Sequence, residues 1–396
     1  MTLRVLSIGA GAEQFYPIQT AMARGLEVVA LDGNAAAPGL SVASRGLVVD
    51  ISNQAAVLEV ARTVQPDFLL PAPIGQFLTT VGAVNSVLGL RGISLDAARL
   101  CTDKRATFQC LAAAGIRVAR QIEVQGRRVS ECLAEIGLPC ILKPARGSGS
   151  RGVRLLSGLE DVLIADAMVA DDPEQPWLLE EVLLGVEFGV DAAVYAGQFR
   201  LVMAREKIMT APPARQEMTY IYPPRVSDVL VSGVSDIVER ASRAMGLSDC
   251  LINADVMLSP DGEPAIIELS GRAPGNNITS RLFPAVSGAN LIDLALDALI
   301  DNRPLVSPHN VRPVAFSFLP VPAGRVLSVQ LSGPDPAIGW IACDSPLKTG
   351  DLLDPIASGS DAMARGWIMA TGDTPDQALS AAQAYIQTME VQIDRV

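Results

Sequence analysis

With 43 acidic against 31 basic side chains in 396 residues, a net charge of −12, the chain is long enough for two or three fully cored domains and poorly suited to nucleic acid, whose binders draw affinity from cationic surface. Apolar residues make up 49% and mean hydropathy is +0.31, yet no apolar run approaches the roughly 18 residues of a membrane span, and the N-terminus carries no secretory pattern, so a cytoplasmic protein with small-molecule partners and no membrane is expected. Six cysteines without a Cys-x-x-Cys pair and one histidine, His309, leave zinc centres, disulfide frameworks and histidine triads without their parts, so the chemistry falls to carboxylates, Lys, Arg, backbone groups and a carboxylate-bound hard cation.

Residues 1–98 read as a small N-terminal domain. Leu3–Ile8 is an apolar run, Gln14–Arg24 has helical spacing, Val28–Leu31 is a second run ending at Asp32, and Phe68–Leu70 is a later one. This alternation predicts an α/β unit on a parallel sheet. The first turn, Gly9-Ala10-Gly11-Ala12-Glu13-Gln14, has Gln14 where a dinucleotide fingerprint wants a third small residue, while Asp32 stands at about the distance of a ribose contact. A tight turn without cofactor is expected, with an NAD-dependent Rossmann oxidoreductase as the alternative.

Residues 99–184 read as a central α+β lobe. Asp103-Lys104 opens a helix over Arg105–Ala114 that stops at Gly115. A strand ending at Lys143-Pro144 runs into a glycine loop, followed by a helix around Asp161–Val169 and a strand over Trp177–Val182. Residues 185–396 read as a larger C-terminal lobe with an antiparallel sheet, making the whole chain α/β with an α+β C-terminal part. Its elements are strands at Phe188–Tyr195 and Gln198–Met203, a proline-bearing loop, a helix from Asp228 to Met245, and strands Ile252–Leu258 and Ala265–Leu269 joined by Ser259-Pro260-Asp261-Gly262. Further strands follow Pro313, and the final helix is expected over Thr374–Met389.

A strand that stops at Lys143 and opens into Gly147, Ser148, Gly149 and Gly152 offers a cation, hydroxyls and backbone N–H groups to a polyanion such as phosphate. The same composition alone also fits a surface turn. Glu180 and Glu181 end an apolar strand and Glu187 follows Gly185. A hinge there can grip a purine edge and ribose hydroxyls, although charges at a strand end are often ordinary solvated edge. Asp255 and Glu268 lie on facing strands within apolar runs, and alternation puts Asn253, Ser270 and Arg272 on the same face. Two such carboxylates need compensation, which Mg2+ shared with nucleotide phosphates supplies; a structural Arg272–Glu268 ion pair is the competing reading. Arg205 suits a substrate carboxylate, or stands as a surface charge at a strand end.

Taken in order, Asp103-Lys104, Ile141-Leu142-Lys143-Pro144 with its glycine loop, Leu179-Glu180-Glu181-Val182 with Gly185 and Glu187, and Asp255 with Ile267-Glu268 and Arg272-Ala273-Pro274-Gly275 resemble the ATP-grasp superfamily. The resemblance covers nearly the whole chain and is specifically to the carboxylate–amine ligase branch, similar to L-amino acid ligases. It implies an ATP-grasp architecture in which Lys104 and Lys143 hold ATP phosphates and the loop of Gly147, Ser148, Gly149 and Gly152 closes over them. Glu180, Glu181 and Val182 would receive adenine, Glu187 would bind ribose, Asp255 and Glu268 would carry Mg2+, and Arg272 would face an acyl phosphate. Two departures stand out. Ser270 replaces the usual Asn as a shorter oxygen ligand for the metal, and Thr219-Tyr220 stand where related dipeptide-forming ligases often carry Gly-His.

The implied reaction phosphorylates a carboxylate with ATP, and an amine then displaces phosphate to form an amide, with magnesium, Lys143 and Arg272 compensating charge on the transferred group. The amine proton would pass to Glu217 or to a phosphate oxygen. Expected partners are a small carboxylic acid and an amine, amino acids among them, with a homodimer allowed. A biotin-carboxylase-like carboxylase would share the fold, but no Met-Lys-Met carrier segment occurs.

Overall fold

The apolar runs near the N-terminus become four parallel strands in the spatial order Arg45–Val48, Glu27–Asp32, Arg4–Ile8, Phe68–Leu69. The computed structural model describes residues 2–146, 152–211, 214–308 and 311–394. Val5, Leu6, Val28, Val29 and Leu31 are all buried, as inner strands of a parallel sheet covered on both faces must be. The first βα turn is filled by its own side chains. The Gln14 carboxamide accepts from the Gly11 N–H at 3.0 Å and donates to the Pro73 carbonyl, and Asp32 accepts from the Ala10 N–H at 2.8 Å. Asp32, the ribose partner in the oxidoreductase alternative, is therefore committed to the turn itself.

The expected boundary at residue 98 falls inside the helix Leu95–Thr102. The break comes at Asp103, whose extended backbone ends that helix and whose carboxylate accepts from the Ala106 N–H at 3.1 Å to start the next, Lys104–Ala113. The central lobe then builds an antiparallel sheet in the order Gln121–Glu123, Trp177–Glu181, Cys140–Pro144, Arg154–Leu156. Helices Val129–Ile136 and Leu159–Asp171 supply Cys132 and Val162 to its core.

That core belongs to the central lobe alone, with Leu142, Leu156 and Leu179 at its centre. The N-terminal domain instead shares a core with the C-terminal lobe. Val5, Ile18, Val28 and Phe68 lie in one cluster with Leu251, Ile278, Phe283 and Leu291, and Arg24 reaches across to Asp293 and Asp297. The sheet of the central lobe is thus cored separately from the rest of the chain, with Gly185 at one of the crossings between these two bodies.

The C-terminal lobe is an eight-stranded antiparallel sheet in the order Pro264–Ser270, Cys250–Leu258, Val186–Tyr195, Gln198–Met209, Glu217–Tyr222, Val314–Phe318, Trp367–Thr371, Trp340–Asp344. The strand expected to end at Met203 continues to Met209. Arg205 and Lys207 are consequently interior strand residues, 1% and 6% exposed, which overturns the reading of Arg205 as a surface charge. Beneath Arg205 lies an aromatic floor of Tyr220, Phe316, Phe318 and Trp367, and its guanidinium sits 5.3 Å from the Tyr220 ring centre. Among the described residues no single helix is long and apolar enough to cross a membrane.

Gly185 turns the chain from one body to the other at φ +145°, and a Cβ there would collide with the Leu258 carbonyl oxygen. Gly185→Ala should therefore cost roughly 2 kcal/mol of stability, read as a lower urea midpoint at unchanged slope. An unmoved midpoint would show that this crossing relaxes without strain.

Candidate functional site

A cleft lies between the two bodies. Lys104, Lys143, Glu180, Glu181, Val182, Glu187, Glu217, Asp255 and Glu268 all line it, so residues spread over 165 positions of sequence meet on one surface. A second chamber shares Glu217, Asp255 and Glu268 with the cleft and adds Arg205, Lys207 and Arg272 from the C-terminal lobe and Glu13 from the first βα turn. Gly147, Ser148 and Gly149 lie outside the described residues. Gly152 is described, with φ +74° and contact distance to Pro144 and Trp177 for any added Cβ.

On the central-lobe side, Lys143 and Glu180 pair at 2.6 Å and are almost fully buried. They sit two residues apart diagonally across the Cys140–Pro144 and Trp177–Glu181 strands, because Ile141 is the register partner of Glu180. Gln121 donates to Glu180 at 2.6 Å, and the Lys143 ammonium lies 4.8 Å from the Phe108 ring centre. Glu180 is thus no solvated edge. Glu181 accepts from the Arg120 N–H at 3.0 Å, and Val182 continues the cleft lining beside it.

The C-terminal side is organised by a residue that sequence reading missed, Lys207. Its Nζ lies 2.6 Å from Asp255, 3.0 Å from Glu217 and 3.4 Å from Glu187. Burial opposes its charge, but the three carboxylates outweigh burial and hold it protonated. The available signal was its alternation with Arg205, which puts both on one face if the strand runs past Met203. Arg215, also missed, pairs with Glu187 at 3.0 Å. Glu187, expected to be free for ribose, therefore already holds two cations.

Asp255 and Glu268 are direct register partners on adjacent antiparallel strands. A bulge between Asp255 and Val256 inserts Ile267 as an extra residue, so that Ile267 and Glu268 both line the cleft. Burial, reinforced by Glu217, Glu187 and Glu268, raises the Asp255 carboxyl to about 6 against the pull of Lys207. Carboxylate charge is therefore left over at this spot, and a divalent cation fits it. Among the described residues no three His, Cys, Asp or Glu side chains form a metal cage of their own, so a cation at this pair would need oxygen ligands from elsewhere, as Mg2+ shared with phosphate has.

The remaining residues divide. Burial alone would raise the Glu217 carboxyl, but Lys207 and neighbouring hydrogen bonds hold it below the ordinary range, and Gln216 donates to it at 2.7 Å, so it is a weak base. Arg205 forms a buried ion pair with Asp191, which also accepts from Asn253 at 3.2 Å. Its charge is thus already matched within the sheet. Arg272 lines the second chamber, and no described ion pair joins it to Glu268. It faces Glu13, whose carboxyl burial raises while Arg272 and the N–H groups of Asn276 and Asn277 pull it back. Ser270, expected as a third metal ligand, is 5% exposed and lines neither chamber, and the Cys101 thiol nearby accepts from the Gly271 N–H at 3.3 Å.

Because Asp255 binds its proton more tightly folded than unfolded, its ionisation costs stability as pH rises through about 6. Asp255→Asn should melt above the wild type at about pH 8, and the gain should shrink as pH falls and vanish near about pH 4, where the unfolded carboxyl also protonates. Identical melting curves at the higher pH would show that Lys207 fully offsets burial.

Residues 136–281 match the ATP-grasp domain family. An uncharacterised protein of Sinorhizobium fredii is 32% identical over 207 residues, 50% of this chain and 42% of that protein. Alanine–anticapsin ligase of Bacillus subtilis is 24% identical over 253 residues, 56% of this chain and 52% of the ligase. The chain thus spans about half the length of the curated relatives it matches. Among solved structures, L-amino acid ligase from Bacillus licheniformis superposes with a TM-score of 0.80 at 16% identity, covering 100% of this chain and 99% of the ligase, which shows a shared fold.

Proposed function

We propose that this chain, an ATP-grasp protein by its fold and by residues 136–281, is an ATP-dependent carboxylate–amine ligase that makes an amide or peptide bond through an acyl phosphate. One observation carries the reading. A single cleft gathers two lysines, a hinge and the Asp255–Glu268 pair, and it shares those carboxylates with a chamber lined by Arg272.

On this reading adenine lies against the hinge at Glu180–Val182, and Lys104 and Lys143 face the phosphates. Asp255 and Glu268 would hold Mg2+, which supplies charge neutralisation to the phosphate oxygens when bound. In the second chamber Arg272 orients the acid. A carboxylate oxygen bonds to the γ-phosphorus as the β–γ bridge breaks and leaves with ADP. The amine nitrogen then bonds to the acyl carbon, the carbon–oxygen bond to phosphate breaks, and the ammonium proton is lost. Since Lys207 makes Glu217 a weak base, a phosphate oxygen is the better acceptor for that proton. Catalysis is mainly positioning and electrostatic compensation, which explains how the site works without histidine. The names of the two ligases it resembles point to amino acids as acid and amine.

The test is a phosphate-release screen over amino acids and small carboxylates with ATP and Mg2+, followed by the product mass. Glu268→Gln should lose more than about 100-fold in acid-dependent release while keeping its circular dichroism and melting cooperativity. Full activity in that variant would remove the metal assignment. Ser270→Ala should leave the Mg2+ titration of turnover unchanged, because Ser270 is buried and lines neither chamber; a raised Mg2+ requirement would restore it as a ligand.

A further inference from the structure

The cleft is lined by six carboxylates, Glu180, Glu181, Glu187, Glu217, Asp255 and Glu268, and three cations, Lys104, Lys143 and Arg215. A polyphosphate entering such a surface needs positive charge that can be turned toward it. Lys143 is poorly placed to move, since its side chain is 5% exposed and locked on Glu180 at 2.6 Å. Arg215 differs. Its side chain keeps 29% exposure, and it holds one oxygen of Glu187, Oε2, at 3.0 Å while Lys207 lies 3.4 Å from the other.

Both Glu187 oxygens are therefore committed, although the ATP reading asks this carboxylate to accept from ribose hydroxyls. We infer that Arg215 is a further nucleotide-binding residue, which gives up Glu187 when nucleotide enters and pairs with its phosphates instead. The inference rests on the ATP reading. Rotation of the long Arg215 side chain is enough, because a partly exposed ion pair is weakly held. Lys207 stays on Glu187 throughout, so no buried carboxylate is left uncompensated. The guanidinium fork matches phosphate oxygens in a way an ammonium does not. Ribose capture and phosphate binding become two halves of one exchange.

Calorimetry separates the halves, using adenosine and the β,γ-imido analogue of ATP with Mg2+ as probes on the wild type, Arg215→Ala and Arg215→Lys. Arg215→Ala should lose roughly tenfold or more in affinity for the analogue, with adenosine binding unchanged or tighter because Glu187 is released. Arg215→Lys should fall between, which also guards against a folding defect in the alanine variant. Unchanged analogue affinity in Arg215→Ala would overturn the role of Arg215. So would equal weakening toward adenosine, which would make Arg215 a prop of the ribose site. A wild type that binds neither probe would sink the ATP reading itself, and the inference with it.

Discussion

One ammonium group, the Nζ of Lys207, holds three carboxylates that arrive on three other strands. Asp255, Glu187 and Glu217 lie on Cys250–Leu258, Val186–Tyr195 and Glu217–Tyr222, which flank the Lys207 strand in four consecutive positions of the large sheet. Burying any of these charges alone would cost several kcal/mol. The strands must therefore pair in register before the cluster becomes tolerable, and the cluster in turn makes that register the favourable one. Carboxylate charge still exceeds what Lys207 and Arg215 neutralise, and on the proposed reading a cation would compensate the surplus at Asp255 and Glu268. On that reading stability is given up at the place where the proposed chemistry needs charge.

The two-body construction decides where that charge can be used. Apolar contact fuses the N-terminal domain to the C-terminal lobe, whereas the central lobe closes a core of its own. The surface between bodies is consequently where polar groups of both can face one another without interrupting either core. The cleft uses it for Lys143 and the hinge on one side and the Lys207 cluster on the other. Fusion of the N-terminal domain has a second effect: it brings Glu13 over the loop carrying Arg272, Asn276 and Asn277, so the chamber next to the cleft has a wall from each end of the chain.

A second buried pair, Asp191 with Arg205, runs through the same sheet. A Cβ on Gly189 would stand 2.6 Å from the Arg205 guanidinium carbon, and the ring of Tyr220 lies on its other side. The arginine is clamped between backbone and aromatic ring. Its place in the chamber wall is that of a fixed positive surface backed by Asp191, while Arg272, which shares the chamber wall with Glu13 of the N-terminal domain and donates to the Ala273 carbonyl, is the more available cation.

By itself the sequence determined whatever depends on covalent periodicity. The two-residue alternation of the 250–270 hairpin put Asp255 and Glu268 on one face, and the structure makes them register partners. The cap at Asp103, the strand ending at Lys143 and the parallel N-terminal sheet were legible on the same footing, since each is set by residues within one element. Tertiary structure alone decided which charges meet. Lys207 read as part of a loop because a charged residue past Met203 gives no local sign of burial, and its partners lie up to 48 positions away. Glu13 faces residues some 260 positions distant, and the Gly271 N–H next to Ser270 reaches the Cys101 thiol 170 positions away. The backbone's period is a property of the chain, but the neighbour of a side chain is a property of the packed sheet.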